Sequence, residues 1–290
     1  MTSEVIVGVI LGTYALQQEV DVHTAFAEQL KHWRATRHLS QLDLALTAGV
    51  SQRHVSWLET GKSAPSRDMV VRLAEALDVP LRERNTLLGS AGFAAIYSER
   101  QVDAEQMRPI RDALEAMLAH HDPYPAFVLD RCWRVVMLNT SASRILTVFG
   151  NVDALWQRVD PSGARSLARL TFHPDGMRPY IENLGELAAS FAYRIRSDLQ
   201  SIGDPDQRAE LADVLTLVSS ETVGAEVAQP LLPILPLTLR LPSARISLMS
   251  VIATFGTPLD VTVDELRIES FYPADEPSKQ LLLQMADHSE

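Results

Sequence analysis

Two adjacent polar side chains, Gln52 and Arg53, come directly after a serine at the start of a short predicted helix. A guanidinium offers paired N–H donors that match a guanine edge, and a carboxamide matches the donor and acceptor of adenine. Ser56 and Trp57 fall on the same face of that helix, one turn later. This arrangement suits the reading of base edges in a DNA major groove, and a solvated surface is the alternative interpretation.

Two short helices joined by a tight turn would position this face. Ser40 and Ser51 are predicted N-caps, whose hydroxyls accept from first-turn N–H groups, and Asp43 is placed to complete a capping box with Ser40. Gly49 supplies the positive φ that ends the first helix. Helical spacing directs the following apolar residues of the pair toward a core: Leu42, Ala45, Leu46, Val55 and Leu58.

Further helices flank this pair on both sides. The upstream helix has an apolar face, Ser66 caps the first downstream helix and Pro80 begins the second. The core residues expected of these helices are Phe26, Leu30, Trp33, Val70, Leu73 and Leu77. Five helices in about seventy residues predict a compact all-α domain that is large enough to fold alone.

The pattern S-Q-x-x-L-A-x-x-x-G-V-S-x-x-x-V-S-x-x-E-x-G, which spans 40–61, resembles the helix-turn-helix domains of phage Cro and lambda-type repressors, the XRE type. The resemblance covers about residues 23–90. It implies that Gln41 contacts phosphate, that the outer face of the second helix reaches base edges, and that Glu59 pairs with Arg34. Trp57 departs from the polar residue of that pattern, so packing on a sugar or a thymine methyl is its alternative role.

Phosphate contacts are the second part of this prediction, because they position a protein on DNA without reading sequence. Lys62, Ser56 and the helix N-termini are candidates, although Lys62 is equally well explained as a free surface lysine. The predicted DNA-binding residues are Gln41, Ser51, Gln52, Arg53, Ser56, Trp57 and Lys62.

The net charge of −11 is unusual for a DNA-binding protein, so the distribution of charge matters. Residues 101–290 contain most of the excess acid, whereas residues 31–62 hold five basic and two acidic side chains. A local basic face therefore remains, and salt should weaken its binding to DNA.

The number of cysteines and the N-terminal residues indicate in which compartment the protein acts. The single cysteine, Cys132, excludes an intramolecular disulfide framework and fits a reducing, cytoplasmic environment. The apolar stretch 5–16 is too short to span a bilayer and lacks the basic segment of a signal peptide. We expect residues 1–22 to be an N-terminal tail or an extra helix without a direct function, and an over-long gene start is the third interpretation. A helix-turn-helix domain is expected over 23–92.

A linker over 93–107 is predicted to lead into a second domain over 108–290. Apolar runs around a turn at Asp130 predict two strands, and later runs over 246–255 and 266–272 predict an antiparallel pair. Helices are predicted over 152–159, 162–171, 177–200 and 206–219, and the proline-rich run 230–242 is a connection or an edge strand. This order indicates an α+β domain, an antiparallel sheet with helices on one face that can enclose a pocket.

Three segments of this domain carry a second resemblance: 124–139, 172–183 and 254–275. They are similar to the MmyB-like regulators, which join such a helix-turn-helix to a PAS-like ligand-binding domain. The resemblance implies a small apolar ligand such as a fatty acid. No cofactor is expected, and no metal site, because His120 and His121 have no third ligand at suitable spacing. Leu184 stands where the family pattern has tryptophan, so the pocket wall is expected to differ there.

Three polar residues are candidate ligand-binding residues: His173, Arg178 and Asn139. Arg178 lies in the first turn of a predicted helix, where the helix dipole disfavours a cation, so either an acidic side chain or a bound carboxylate should compensate it. His173 could instead cap the His-Pro-Asp-Gly turn, and Asn139 could anchor a strand-to-helix turn. No residue is predicted to be catalytic, because no nucleophile elbow, phosphate loop or metal quartet accompanies His173.

These observations favour a DNA-binding transcription regulator, a homodimer whose second domain binds a small apolar ligand and tunes operator binding. The alternative is a second domain that serves only for dimerisation or protein docking. A DNA-tethered enzyme that uses His173 is a third, less supported, possibility.

Overall fold

The structure, a computed structural model, describes residues 24–221, 236–241 and 244–287. The tail predicted over 1–22 lies outside the described residues. The chain divides into two compact units between Ser98 and Glu99. Asn85 holds the end of the first unit, since its side-chain oxygen accepts from the backbone N–H groups of Ile96 and Tyr97 at 3.1 Å each.

Five helices form the described part of the first unit. Helix α1 covers 24–36, and the others are α2 (Gln41–Ala48), α3 (Gln52–Glu59), α4 (Arg67–Ala76) and α5 (Leu81–Ser90). Ser40, Ser51 and Ser66 accept N-cap hydrogen bonds, Asp43 completes the capping box, and Gly49 ends α2 with a φ of 65°. The predicted all-α fold is confirmed, because these local signals specify where each helix begins and ends.

The prediction for the apolar face of α2 was wrong in part. Leu42 and Leu46 are 49% and 72% exposed, whereas Leu44, Ala45 and Ala48 are buried. Leucine alternates with other residues along this helix, so the apolar pattern fits two faces. Packing against α3 and α4 selects the face with the small alanines, which allows the helices to approach closely.

The second unit contains five strands and eight α-helices among its described residues. After a 3-10 turn (Glu105–Met107), its elements are α6 (Arg108–His121), β1 (Ala126–Leu129), β2 (Val135–Leu138), α7 (Thr140–Thr147), α8 (Val152–Val159), α9 (Leu167–Phe172), a 3-10 turn (Arg178–Tyr180), α10 (Leu184–Gln200), α11 (Pro205–Ser219), β3 (Pro236–Arg240), β4 (Arg245–Thr254), α12 (Val261–Glu265), β5 (Arg267–Pro273) and α13 (Glu276–Asp287). The predicted α+β class is confirmed.

The strands form one antiparallel sheet in the order β2-β1-β5-β4-β3. Both faces are covered near β1, because Val128 and Ile268 pack against α6 while Phe127 and Phe271 face the larger core under α7, α9 and α10. Helices therefore lie on both faces of the sheet. The expected arrangement, with helices on one face, describes only the side of the sheet that packs into the larger core.

Two predicted helices begin later than expected. Over 162–171 the helix starts at Leu167, because the Asp160 carboxylate accepts from Ser162 Oγ at 2.6 Å and from Ser166 N at 2.9 Å and so stabilises a turn. Over 177–200 the chain forms a 3-10 turn and then leaves helical conformation at Ile181, which bridges to Leu239.

Both edges of the sheet are met by segments of the same chain. At the β2 edge, Val135 N donates to Arg165 O at 3.1 Å and Leu167 N donates to Trp133 O at 2.8 Å. At the β3 edge, Glu182 N donates to Thr238 O at 2.9 Å. The side chain of Asn183 completes this edge, since it donates to Pro236 O and accepts from Thr238 N.

Candidate DNA-binding face and ligand cavity

Helix α3 presents the predicted recognition face. Ser51 caps it by accepting from His54 N at 3.2 Å, while Val55 and Leu58 are buried beneath it. Gln52 and Arg53 are exposed on the outer side. The helix is therefore anchored by its apolar face and leaves its polar first turn accessible, which is the geometry that a major-groove helix needs.

Arg53 and Trp57 form a stacked pair on this outer face. The guanidinium carbon of Arg53 lies 4.4 Å from the centroid of the Trp57 ring, within cation–π range. Trp57 is 39% exposed, which leaves one side of the indole accessible to solvent. The indole restricts the arginine to a conformation that extends along the helix surface.

Glu59 joins three helices of the first unit. Its carboxylate accepts from Arg34 Nε at 2.6 Å and Arg34 Nη2 at 3.0 Å, as the family resemblance implied. Gln41 Nε2 also donates to Glu59 Oε2 at 2.8 Å. Gln41, predicted to contact phosphate, thus has its amide directed by Glu59 at the start of α2.

The basic side chains of 31–62 divide into two groups. Arg34 is held by Glu59, and Arg37 donates to Leu77 O and Asp78 O. Lys31, Arg53 and Lys62 are exposed. Only part of the basic charge counted from the sequence is therefore presented to solvent.

A cavity lies in the second unit between the sheet and the helices α7, α9 and α10. The centre of a water molecule has about 60 Å³ of space inside it, and the cavity is partly open to solvent. Its wall is mainly apolar and includes Phe127, Ile145, Leu187, Phe191, Leu239 and Phe271. A cavity of this kind suits an apolar ligand, with a few polar groups available to orient it.

The polar groups of this cavity include a buried acid. Glu269 is 2% exposed; its Oε1 accepts from Ser250 Oγ at 2.5 Å, while its Oε2 has no hydrogen-bond partner in the described chain. Burial raises the pKa of the Glu269 carboxyl, against the opposing effects of Ser250 and the positive charges of Arg194 and Arg267. The site therefore favours the neutral form of this carboxyl more than water does.

The two neighbouring arginines differ in their partners. Arg267 makes two hydrogen bonds to Asp198, at 2.8 and 2.7 Å, so its charge is compensated. Arg194 lines the cavity, and no hydrogen bond or ion pair ties it to any residue that the structure describes. Arg194 and Ser190 are four residues apart on α10, so both point from one helix face into the cavity.

The three ligand-binding candidates from the sequence lie outside the lining of this cavity. Arg178 Nη2 lies 3.0 Å from Glu221 Oε2, so an acidic side chain supplies the expected compensation. His173 Nδ1 accepts from Asp175 N at 3.1 Å and caps its turn. Asn139 caps α7 and also accepts from Ala126 N, which anchors the strand-to-helix turn. Each of the three therefore has a structural role in the second unit, and their contact with a ligand stays a prediction.

The turn after His173 also depends on a glycine. Gly176 N donates to His173 O at 2.9 Å. A Cβ at Gly176 would lie 2.3 Å from Leu170 O, a backbone atom that cannot move aside easily. Glycine is therefore required at position 176 by the close approach to α9.

The sequence analysis missed Glu269 and Arg194. Glu269 lies in the alternating run 266–272, which predicts a strand but leaves open which of its two faces is inside. The signal that could have singled it out is its position two residues before Phe271, on the same strand face as that aromatic.

The described helices include none with the length and apolar character to cross a membrane. Over the same residues, no group of three or more His, Cys, Asp or Glu side chains is arranged to hold a metal ion.

Comparison with known families identifies both units. A helix-turn-helix domain model matches residues 25–87, and the model of the MmyB-like transcription regulator ligand binding domain matches residues 110–285. No curated protein matches the chain. The second match covers more than half of the 290 residues and contains the cavity. The chain therefore belongs to the family of the MmyB-like transcription regulator ligand binding domain, with a helix-turn-helix DNA-binding domain ahead of it.

Proposed function

We propose that this protein is a transcription regulator of the XRE type whose operator binding is tuned by a small apolar ligand of fatty-acid type, and that it has no enzymatic activity. The observation that carries the proposal is the apolar cavity between the sheet and α10, in a chain whose α3 leaves Gln52 and Arg53 exposed. The protein would act in the cytoplasm, a reducing environment that its single cysteine fits.

In this proposal Gln52 and Arg53 read base edges, with Trp57 beside them. Gln41, Ser51, Ser56 and Lys62 hold phosphates and set the position of α3 in the groove. Two copies would bind a pseudo-palindromic operator, with half-sites about one helical turn apart. Ligand must favour one arrangement of the two copies to change affinity for DNA.

The test begins with operator sequences selected from random DNA by the wild-type protein. Fluorescence anisotropy should show that Arg53→Ala loses most of the preference for the selected sequence over random DNA. Arg158→Ala removes the same charge from an exposed site on α8 and serves as the control. Equal operator binding by Arg53→Ala and wild type would refute the assignment of α3.

Native mass spectrometry of the purified protein tests the ligand and the oligomeric state together. We expect a dimer that retains an apolar molecule, and we expect added fatty acid to change the measured affinity for the operator. A dimer that retains no ligand and does not respond to one would support the alternative, a second domain that serves dimerisation or protein docking alone.

A further inference from the structure

We propose that Arg194 and Glu269 form the head-group site of the cavity, which binds an oxygen acceptor on a ligand with an apolar chain. This inference rests on the proposed function, and it adds which chemical group of the ligand the cavity selects. Glu269 would be its specificity-determining residue.

The first argument is the unused hydrogen-bonding capacity of Glu269. Ser250 occupies Oε1, whereas Oε2 is buried without a partner in the described chain, and Glu269 lines the cavity. Leaving a buried polar atom unpaired costs free energy, so a ligand atom that pairs with Oε2 recovers it. In the neutral carboxyl that burial favours, Oε2 carries the proton and donates.

The second argument is the electrostatic surroundings. Phe127 of β1 and Ile252 of β4 lie opposite Glu269 on the two neighbouring strands, and both are apolar. Ser250 of β4 is its polar neighbour. Arg267 of the same strand is neutralised by Asp198 of α10. Arg194 of α10 makes no hydrogen bond or ion pair with a described residue, and its positive charge acts on the Glu269 carboxyl.

The two groups together select the chemistry of the ligand. A guanidinium is a donor without acceptor capacity, and a protonated carboxyl offers its Oε2 proton. A carboxylate or carbonyl oxygen can accept from both, whereas an ammonium group can accept from neither. When Glu269 ionises, its two oxygens become acceptors that repel an acceptor head group, so affinity should fall as pH rises through the pKa of Glu269 in the protein.

Isothermal titration calorimetry with decanoate and decylamine, which have matched chains, tests the site. Wild-type protein should bind decanoate at least about tenfold more tightly than decylamine. Over the pH range in which decanoate is ionised, its affinity should fall as pH rises through the pKa of Glu269 in the protein, which burial raises. Glu269→Gln keeps an N–H donor that does not titrate, so it should bind decanoate without this pH dependence.

Arg194→Met should lose about tenfold in decanoate affinity, whereas Arg196→Met, an exposed arginine on the same helix, should bind as wild type. A Glu269→Gln variant with the wild-type pH profile, or equal binding of the two probes, would overturn the inference. If decanoate still altered operator binding after such a result, the proposed function would hold and only the head-group site would be refuted. No binding of either probe, with no response of operator binding, would refute both.

Discussion

The guanidinium of Arg53 stacks on the indole of Trp57, 4.4 Å from its centroid, on the outer face of α3. An exposed cation–π contact contributes about 0.5–1 kcal/mol. We therefore expect Trp57→Ala to weaken operator binding by about two- to fivefold, because Arg53 must then be ordered on binding. Trp57→Phe retains an aromatic face and should retain most of the affinity in fluorescence anisotropy.

Comparing binding to the operator with binding to random DNA distinguishes this positioning role of Trp57 from a phosphate contact. If Trp57 acts through Arg53, Trp57→Ala should reduce binding to the operator and leave binding to random DNA almost unchanged. An equal loss on both would instead indicate that Trp57 contacts the DNA backbone.

The Arg34–Glu59 pair should be the most costly ion pair to break in the first unit. The Glu59 side chain is 3% exposed and accepts from Arg34 and Gln41. Removing one member of a buried pair leaves the other charge uncompensated, so Glu59→Ala should lower the free energy of unfolding by about 3 kcal/mol. Urea denaturation followed by circular dichroism measures this.

Glu75→Ala is the matched control for that experiment. Glu75 is largely exposed and lies 3.9 Å from Arg84. A surface pair of this kind contributes at most about 1 kcal/mol. Equal losses for the two variants would show that Glu59 does not act as the junction of α1, α2 and α3.

Cys132 should be unreactive in the folded protein. It is buried, and burial raises the pKa of its thiol to about 12, with the carboxylates of Asp130 and Glu210 adding to the effect. Because the thiolate is the reactive form, alkylation by iodoacetamide at mildly alkaline pH should be negligible in buffer and rapid in denaturant. Rapid alkylation of native protein would indicate an accessible thiolate and a redox role.

The stability of the second unit should depend on the ionisation of Glu269. The folded protein raises the pKa of this carboxyl by burying it, so it binds the proton more tightly than the unfolded chain does. The free energy that this tighter proton binding adds to folding is fully present at pH values below the ordinary glutamate pKa. It is lost as pH rises through the pKa of Glu269 in the folded protein. Glu269→Gln should remove this loss and be more stable than wild type at alkaline pH.

Thermal unfolding without ligand at a series of pH values checks this result. Glu115→Gln, at an exposed position of α6, changes the same group where it is solvated, and its difference from wild type should stay small and constant with pH. A constant difference for Glu269→Gln as well would mean that Glu269 does not titrate over this range.

Most of the correct predictions from the sequence rest on local features such as helix caps and turns. The caps at Ser40 and Ser51 and the turn at Gly49 act through neighbouring backbone atoms, so the sequence alone specifies them. Leu42 and Leu46 illustrate the limit, because helix periodicity does not show which of two apolar faces meets α3 and α4.

Long-range contacts determine the remainder. The predicted helix over 177–200 is interrupted because Asn183 bonds to β3, a strand more than fifty residues away. The polar end of the cavity likewise requires β4, β5 and α10 to meet. His173 and Arg178 stood out in the sequence as polar residues near a turn. Glu269 and Arg194 lie in segments whose sequence predicts an ordinary strand and an ordinary helix.

The covered edges of the sheet restrict how copies of this protein can associate. An open edge strand is a template for intermolecular pairing and aggregation. Here backbone groups of Val135 and Thr238 are already bonded to the chain's own segments. At those positions two copies cannot continue one sheet into the next, so a dimer would be built from side-chain contacts. Its affinity could then change with small shifts of helices, while the backbone pairing of the sheet stays intact.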